Sequence, residues 1–279
     1  MMTKKKTTGP LTEAQDFART IRIIAPNIRG IIFSNEGSKG REPLANVSRN
    51  SKNLIFAYWE DESKNYISIS AEEPGYDVLA PKNMNGFFSD TTMDAQPIFL
   101  DVTHLDVSQT EDFSECFSFF GAFGPAEIVG LETWDVSKGK NFFRMFYYAF
   151  RSTQNANLDL SNWRFTETDA FSMGSMFSSA GCKSSNIKLN VSNWNLKCCT
   201  SYRAMFQFFG AHSEKVELVG LNTWQPGDLT NMNDMFRNFA LTSNYCIDLS
   251  SWSKNEGLQA THRGFNTGTF FQIKEPKWY

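Results

Sequence analysis

The side chains best suited to acid–base or metal chemistry are scattered along this chain of 279 residues. Its three histidines, His104, His212 and His262, have no second histidine or cysteine at the spacing of a metal-ligand pair. The adjacent carboxylates Glu72 and Glu73 lie in a polar stretch typical of a solvated loop rather than of an acid–base pair. The motifs of serine hydrolases, zinc proteases, P-loop proteins and dinucleotide-binding proteins do not occur. The sequence therefore predicts a protein that is not an enzyme and has no metal or other cofactor.

The cysteines also lack the spacing of a functional site. Their number is odd and no C-x-x-C pair occurs, which favours free, mostly buried thiols over a disulfide framework or a zinc site. The five positions are Cys116, Cys182, Cys198, Cys199 and Cys246.

Charge and hydropathy exclude two classes of partner. The 27 Lys and Arg residues and 30 Asp and Glu residues give a net charge of -3, so we expect no binding to nucleic acid. No run reaches the roughly 18 apolar residues that span a bilayer, so we expect no membrane insertion. The basic N-terminus continues into polar residues and Pro10 instead of an apolar signal core, which predicts cytoplasmic synthesis without Sec export.

The main feature of the sequence is an internal repeat. Six segments share one pattern, in which two apolar residues alternate with small or polar ones and an aromatic residue or leucine closes the segment. They end at residues 105, 134, 163, 194, 224 and 252, a spacing of 28 to 31 residues. A second marker, a phenylalanine usually preceded by methionine, keeps the same spacing at Phe117, Phe146, Phe177, Phe206, Phe236 and Phe265. Two independent markers with one period predict a stack of repeats.

Each repeat predicts a short strand followed by a short helix. The alternation at the start of a repeat is typical of a strand with one face inward. In the second part, around Met176 and Phe177 for example, apolar residues recur three and four apart as on a helix. The predicted fold is a β-rich α/β solenoid, a leucine-rich-repeat-like stack of about six coils, with the tryptophans and phenylalanines in buried columns.

These strings resemble a known family. Segments such as 158–163 (Leu-Asp-Leu-Ser-Asn-Trp), followed by Met-Phe and by a closing Pro276-Lys-Trp278, are similar to the BspA-like leucine-rich repeat surface proteins, over about residues 76 to 279. The segments 53–59 and 66–70 resemble the hairpin that precedes the repeats in such proteins. The resemblance implies display on a surface, of a cell or a virion, and a role in adhesion.

The chain divides into three predicted parts. Residues 1–18 are polar and charged and are interpreted as an arm outside the core. Residues 19–80 predict a β-rich cap, with short strands at 21–24 and 31–33 and a hairpin over 54–70. Residues 81–279 form the repeats, with a closing segment from about 257.

The candidate binding surface is the outward face of the predicted strands. The outward positions are small, polar and mildly acidic, and the exposed sheet of a solenoid is the surface that such proteins usually offer to partners. The candidate partner-binding residues are Asp101, Thr103, Asp159, Ser161, Asn190, Ser192, Asn222, Asp248 and Ser250. A calcium site is not expected, because alternate repeats carry glycine or asparagine in the aspartate row.

Two functional hypotheses follow. The first is a non-enzymatic module that binds a protein or glycan, or attaches to it, through the strand face. The alternative is a structural component of a larger assembly such as a phage or virus particle, anchored to neighbouring subunits by Lys4, Lys5 and Lys6 in the N-terminal arm.

Overall fold

The computed structural model describes residues 6–49, 54–89, 99–224, 230–252, 261–269, 272–276 and 279. Within these ranges the protein is strand-rich, with one α-helix and several small sheets, none of which closes into a barrel. The predicted β-rich fold is confirmed.

The helix is α1 (Ala14–Ile24). The strands up to residue 129 are β1 (Thr7–Pro10), β2 (Gly30–Phe33), β3 (Ala45–Asn46), β4 (Ile55–Trp59), β5 (Tyr66–Ala71), β6 (Asp77–Leu79), β7 (Phe99–Asp101), β8 (Leu105–Asp106) and β9 (Glu127–Val129). The later strands are β10 (Asn155–Asp159), β11 (Phe171–Ser172), β12 (Asn186–Asn190), β13 (Cys199–Ser201), β14 (Lys215–Val219), β15 (Ile247–Asp248) and β16 (Ile273–Lys274).

Residues 7–18 belong to the core, which corrects the predicted arm over the part that the structure describes. Strand β1 pairs in parallel with β6, and Leu11 and Phe17 are fully buried. Ala14, Phe17, Ala18 and Ile21 recur at helical spacing in α1 and face inward, so the predicted strand at 21–24 is also wrong. Phe17 packs on Phe87 with ring centroids 5.0 Å apart, which joins the helix to the first repeats.

The cap is a mixed sheet that continues into the repeats. Strands β4 and β5 form the predicted antiparallel hairpin, and β2 lies in parallel between β5 and β7. The complete strand order is β3-β4-β5-β2-β7-β9. The cap and the first two repeats therefore share one sheet.

The second part of each repeat is a run of turns, not the short helix that the spacing predicted. Phe113, Cys116, Phe117 and Phe120 are buried at helix-like intervals, yet the Phe120 N–H donates to Phe117 three residues earlier. Alternate N–H groups donate to the next repeat instead, as Phe117 does to the Met145 carbonyl at 2.8 Å. We call these stacked segments, at about 112–122, 141–150, 172–181, 201–211, 231–240 and 261–269, the turn ladder.

Aromatic columns fill the space between the strands and the turn ladder. The repeat phenylalanines are all buried, and Phe177 stacks on Phe146 and Phe206 with centroids 5.3 and 5.7 Å away. The repeat tryptophans are buried as predicted. Each indole also donates a hydrogen bond to the previous repeat; the Trp194 Nε1 reaches the Leu160 carbonyl at 2.7 Å. The columns thus carry both apolar packing and polar links along the stack.

At the C-terminal end, β16 pairs in parallel with β15. The ring of Tyr279 lies 5.3 Å from that of the last repeat phenylalanine, Phe265. Pro276 is buried, while Trp278 lies outside the described residues.

Candidate functional site

Three adjacent strands present a flat polar surface. Strands β10, β12 and β14 are each five residues long, pair in parallel and stay in register over their whole length. Their inward residues are buried, so every second side chain points outward. We call the outward set the polar ribbon: Asn155, Asn157, Asp159, Asn186, Lys188, Asn190, Lys215, Glu217 and Val219.

Neighbouring side chains on the ribbon contact one another, both across strands and, for Lys215 and Glu217, along one strand. The Asn186 side-chain amide donates to the Asn155 side chain at 2.6 Å. Glu217 accepts from Lys215 at 2.7 Å and from Lys188 at 3.4 Å, and hydrogen bonding to Lys215 is the main cause that lowers the pKa of the Glu217 carboxyl. These pairs are exposed and contribute little stability, so the side chains are available to a partner at small cost.

Most residues predicted to bind a partner instead shape the corner that follows each strand. Asp159 accepts the backbone N–H of Ser161 at 3.0 Å and the Ser161 hydroxyl at 2.6 Å. The same Asx turn is made by the pairs Asp101–Thr103 (backbone bond only), Asn190–Ser192 and Asp248–Ser250. Asp248 also accepts from Lys274 at 2.7 Å, and these hydrogen bonds lower its pKa to about 2. The Asp-x-Ser signal in the sequence is thus first of all a turn signal.

Two repeats use a different corner. Gly130 and Gly220 adopt left-handed backbone conformations (φ 93° and 102°), and each begins a 3-10 turn, Leu131–Thr133 and Leu221–Thr223. A Cβ at Gly220 would lie 2.4 Å from the Ser192 backbone nitrogen, so only glycine fits without strain. The predicted site residue Asn222 lies in the second of these turns and is exposed.

The glycine corner shifts the strand by one residue. Inward Leu158 precedes Trp163 by five positions, whereas inward Ile128 precedes Trp134 by six. Asn190 is consequently paired with Val219, not with Gly220 as the tryptophan frame predicted. Val219 was expected to face inward but is 40% exposed. The spacing from the tryptophan therefore assigns the wrong outward residue beside Asn190, although Asn222 itself is exposed. The repeated segments also begin too late to include the first outward positions of each strand: in the third repeat the segment begins at Leu158, after Asn155 and Asn157.

A cleft lies beside the ribbon, between β9 and β10. Its volume is about 660 Å³, and its walls combine aromatic, small and polar side chains, among them Tyr66, Phe99, Glu127, Phe150, Ala156 and Asn157. Tyr66 and Phe99 meet edge to face at 6.2 Å on its outer rim. No pattern of residue types predicts this cleft, because it arises from a break in strand pairing.

The remaining candidates for chemistry are built into the fold. Among the residues that the structure describes, no group of three histidine, cysteine, aspartate or glutamate side chains is arranged to hold a metal. All five cysteines are free, and burial raises the pKa of the Cys199 thiol to about 12. Lys6 is exposed next to β1, and Lys4 and Lys5 lie outside the described residues.

Fold and site together define a strand-rich repeat protein with an outward polar surface. The chain belongs to the family described as Mycoplasma protein of unknown function, DUF285, whose model matches residues 82–218 and 148–278. The two matches cover the ribbon and all the residues that line the cleft except Tyr66. No curated protein and no solved structure matches the chain. In the described part of the chain, no helix is long and apolar enough to cross a membrane.

Proposed function

We propose that this chain is a repeat solenoid of the BspA-like kind that acts as a non-enzymatic binding or attachment module, displayed on a surface. Support for the solenoid comes from parallel, in-register strands about one repeat apart and from aromatic rings that stack from each repeat to the next. A preformed surface of this kind binds without a large ordering cost.

The observation that carries the proposal is the polar ribbon. Its central row, Asn157, Lys188 and Glu217, takes no part in the corner turns, unlike Asp159 and Asn190. The row combines an amide, a cation and a carboxylate on three rigid strands, which suits the many polar contacts of a protein or glycan partner. The corner residues predicted from the sequence would then contribute at the edge of the contact, through the atoms that their turns leave available.

Charge reversal within the ribbon tests this function. Lys188→Glu should abolish binding to an immobilised ligand found by screening panels of proteins and glycans against the whole chain. Lys197→Glu is the matched control, because Lys197 is exposed and lies outside the ribbon. Equal binding by both variants, or the absence of any ligand on the panels, would contradict the proposal.

The alternative, a particle component anchored by the N-terminal arm, has less support from the described residues than the binding module. Residues from Thr7 onward are held by their own chain, through β1 and β6, and the Asp77 N–H donates to the Lys6 carbonyl at 3.0 Å. Contacts with another subunit are not needed to order this segment.

A further inference from the structure

The parallel sheet is interrupted between the second and third repeats. Strand β9 ends the sheet that begins in the cap, and β10 begins the next sheet. No backbone hydrogen bond joins these two strands, although both lie wholly within the described residues. The cleft of about 660 Å³ opens at this break.

Both walls of the cleft present strand edges. The Val102 N–H donates to the Val129 carbonyl, so β9 pairs with β7 through alternate residues and the backbone groups of Ile128 face β10. The Leu160 N–H donates to the Asn190 carbonyl, so by the same alternation the backbone groups of Asn157 face β9. Two parallel edges thus face each other across the cleft.

A second break in the same molecule shows how such an edge is satisfied. No strand pairing joins β14 to β15, both of which are described, but the Tyr245 hydroxyl donates to the Leu218 carbonyl at 2.8 Å. Leu218 corresponds to Ile128, and Tyr245 corresponds to Ala156, each counted from the tryptophan of its repeat. At the first break the corresponding side chain is the methyl group of Ala156, which cannot donate a hydrogen bond. The cleft therefore lies where the Tyr245 hydroxyl supplies a donor at the second break.

We propose that the cleft between β9 and β10 binds an extended polypeptide segment, whose backbone pairs with the facing strand edges. An extended peptide supplies alternating N–H and C=O groups to strand edges, and alternate side chains give specificity. Small apolar side chains fit inward against Ala156 and Phe150, and aromatic or basic side chains fit outward near Phe99 and Glu127. This site shares Asn157 with the central row of the ribbon but does not include Lys188 or Glu217, so neither proposal requires the other.

The test is a displayed library of random peptides selected on the whole chain. Selected peptides, made synthetically, should lose tenfold or more in affinity against two variants. Ala156→Tyr introduces at the first break the tyrosine that Tyr245 provides at the second. Asn157→Pro removes a backbone N–H that faces the cleft but takes no part in pairing with β12. Tyr245→Phe, at the other break, is the matched control and should bind normally.

Hydrogen exchange provides a second measurement that does not depend on the variants. Bound peptide should slow exchange of the Ile128 and Asn157 amides, while exchange of the Lys188 and Glu217 amides stays unchanged. Three results would overturn the proposal: no peptide is selected, selected peptides bind folded Ala156→Tyr and Asn157→Pro as tightly as the unmodified chain, or the two amides gain no protection. If a glycan binds in the cleft and the Ala156→Tyr variant no longer binds it, the cleft is a site for glycans and not for peptides.

Discussion

The two long sides of the repeat stack differ in continuity. In the described part of the chain, N–H groups of the turn ladder, and of the preceding segment around Met84, donate to the next repeat at every interface, for example from Phe146 to Met176 and from Asp234 to Arg263. Among the described strands on the other side, pairing stops after β9 and again after β14. Both breaks follow a repeat whose corner is glycine, Gly130 or Gly220.

Local backbone regularity does not explain this difference. The turn ladder contains left-handed residues that are not glycine, such as Arg144 and Tyr148, and each costs about 1 to 2 kcal/mol. The strands have ordinary β conformations, yet it is on the strand side that hydrogen-bond pairing between repeats is interrupted. Whether strand pairing continues depends on whether a backbone N–H at the corner points to the next repeat. At an Asx corner, the Leu160 N–H donates to the Asn190 carbonyl of the next repeat. At a glycine corner, the corresponding stretch from Leu131 is a 3-10 turn and makes no such bond among the described residues.

The largest expected effect is on the core beside the turn ladder. Phe177→Ala should lower the free energy of unfolding by about 3 to 5 kcal/mol, because the ring is fully buried between Phe146 and Phe206. Ser192→Ala, at a strand corner, should cost less than about 1 kcal/mol, since it removes one partly exposed hydrogen bond to Asn190. Denaturant unfolding of both variants measures the difference. Similar losses would mean that the turn-side column does not dominate stability.

Much of the core could be predicted from the sequence. Trp163, Trp194 and Phe177 recur with one period and are buried, because a side chain that faces the inside of one repeat faces the inside of all of them. The hairpin of β4 and β5 was likewise predictable from its alternation and charged turn. The buried repeat residues and the hairpin were predictable because both depend on patterns of residue types that one sequence shows without any structure.

The errors have three physical sources. Buried residues three and four apart, such as Phe113, Cys116 and Phe117, occur in consecutive turns as well as in helices, and only the hydrogen-bond partners distinguish the two. The extra residue of a glycine corner moves Val219 outward, and a one-residue slip reverses every side chain of a strand. Helix α1 was missed because its first turn looked polar.

These errors also hid the candidate site. The cleft is produced by backbone groups of Ile128 and Asn157 that lack a strand partner, and no side-chain pattern reports them. The ribbon was placed partly correctly, since Asp159 and Asn190 are outward, but its central row had to be read from the strand register.

A smaller effect tests the glycine corner itself. Gly220→Ala should cost about 2 kcal/mol or more, because alanine is strained at φ 102° and its Cβ would meet Ser192 backbone atoms at 2.4 Å. Gly124→Ala is the matched control: no heavy atom lies within 4 Å of its Cβ position, so the change should stay within about 0.5 kcal/mol. Thermal unfolding of the pair measures both. Equal stability of the two variants would show that the corner tolerates another geometry.

The smallest effect concerns the second break, where one hydroxyl takes the place of strand pairing. Tyr245→Phe should lower the free energy of unfolding by about 1 kcal/mol, since the Leu218 carbonyl is buried and loses the only donor that the described residues offer it. Tyr279→Phe removes a comparable bond, to Asn266 at 3.1 Å, from an exposed ring and should change stability by less than about 0.5 kcal/mol. Denaturant midpoints of the two variants compare the bonds directly. Equal values would mean that the Leu218 edge needs no donor, which would also weaken the comparison of Tyr245 with Ala156 on which the peptide site depends. A loss of stability confined to Tyr245→Phe would show instead that the strand edge beside a glycine corner requires a hydrogen-bond donor. At the second break Tyr245 supplies that donor, and at the first break the proposed peptide would supply it.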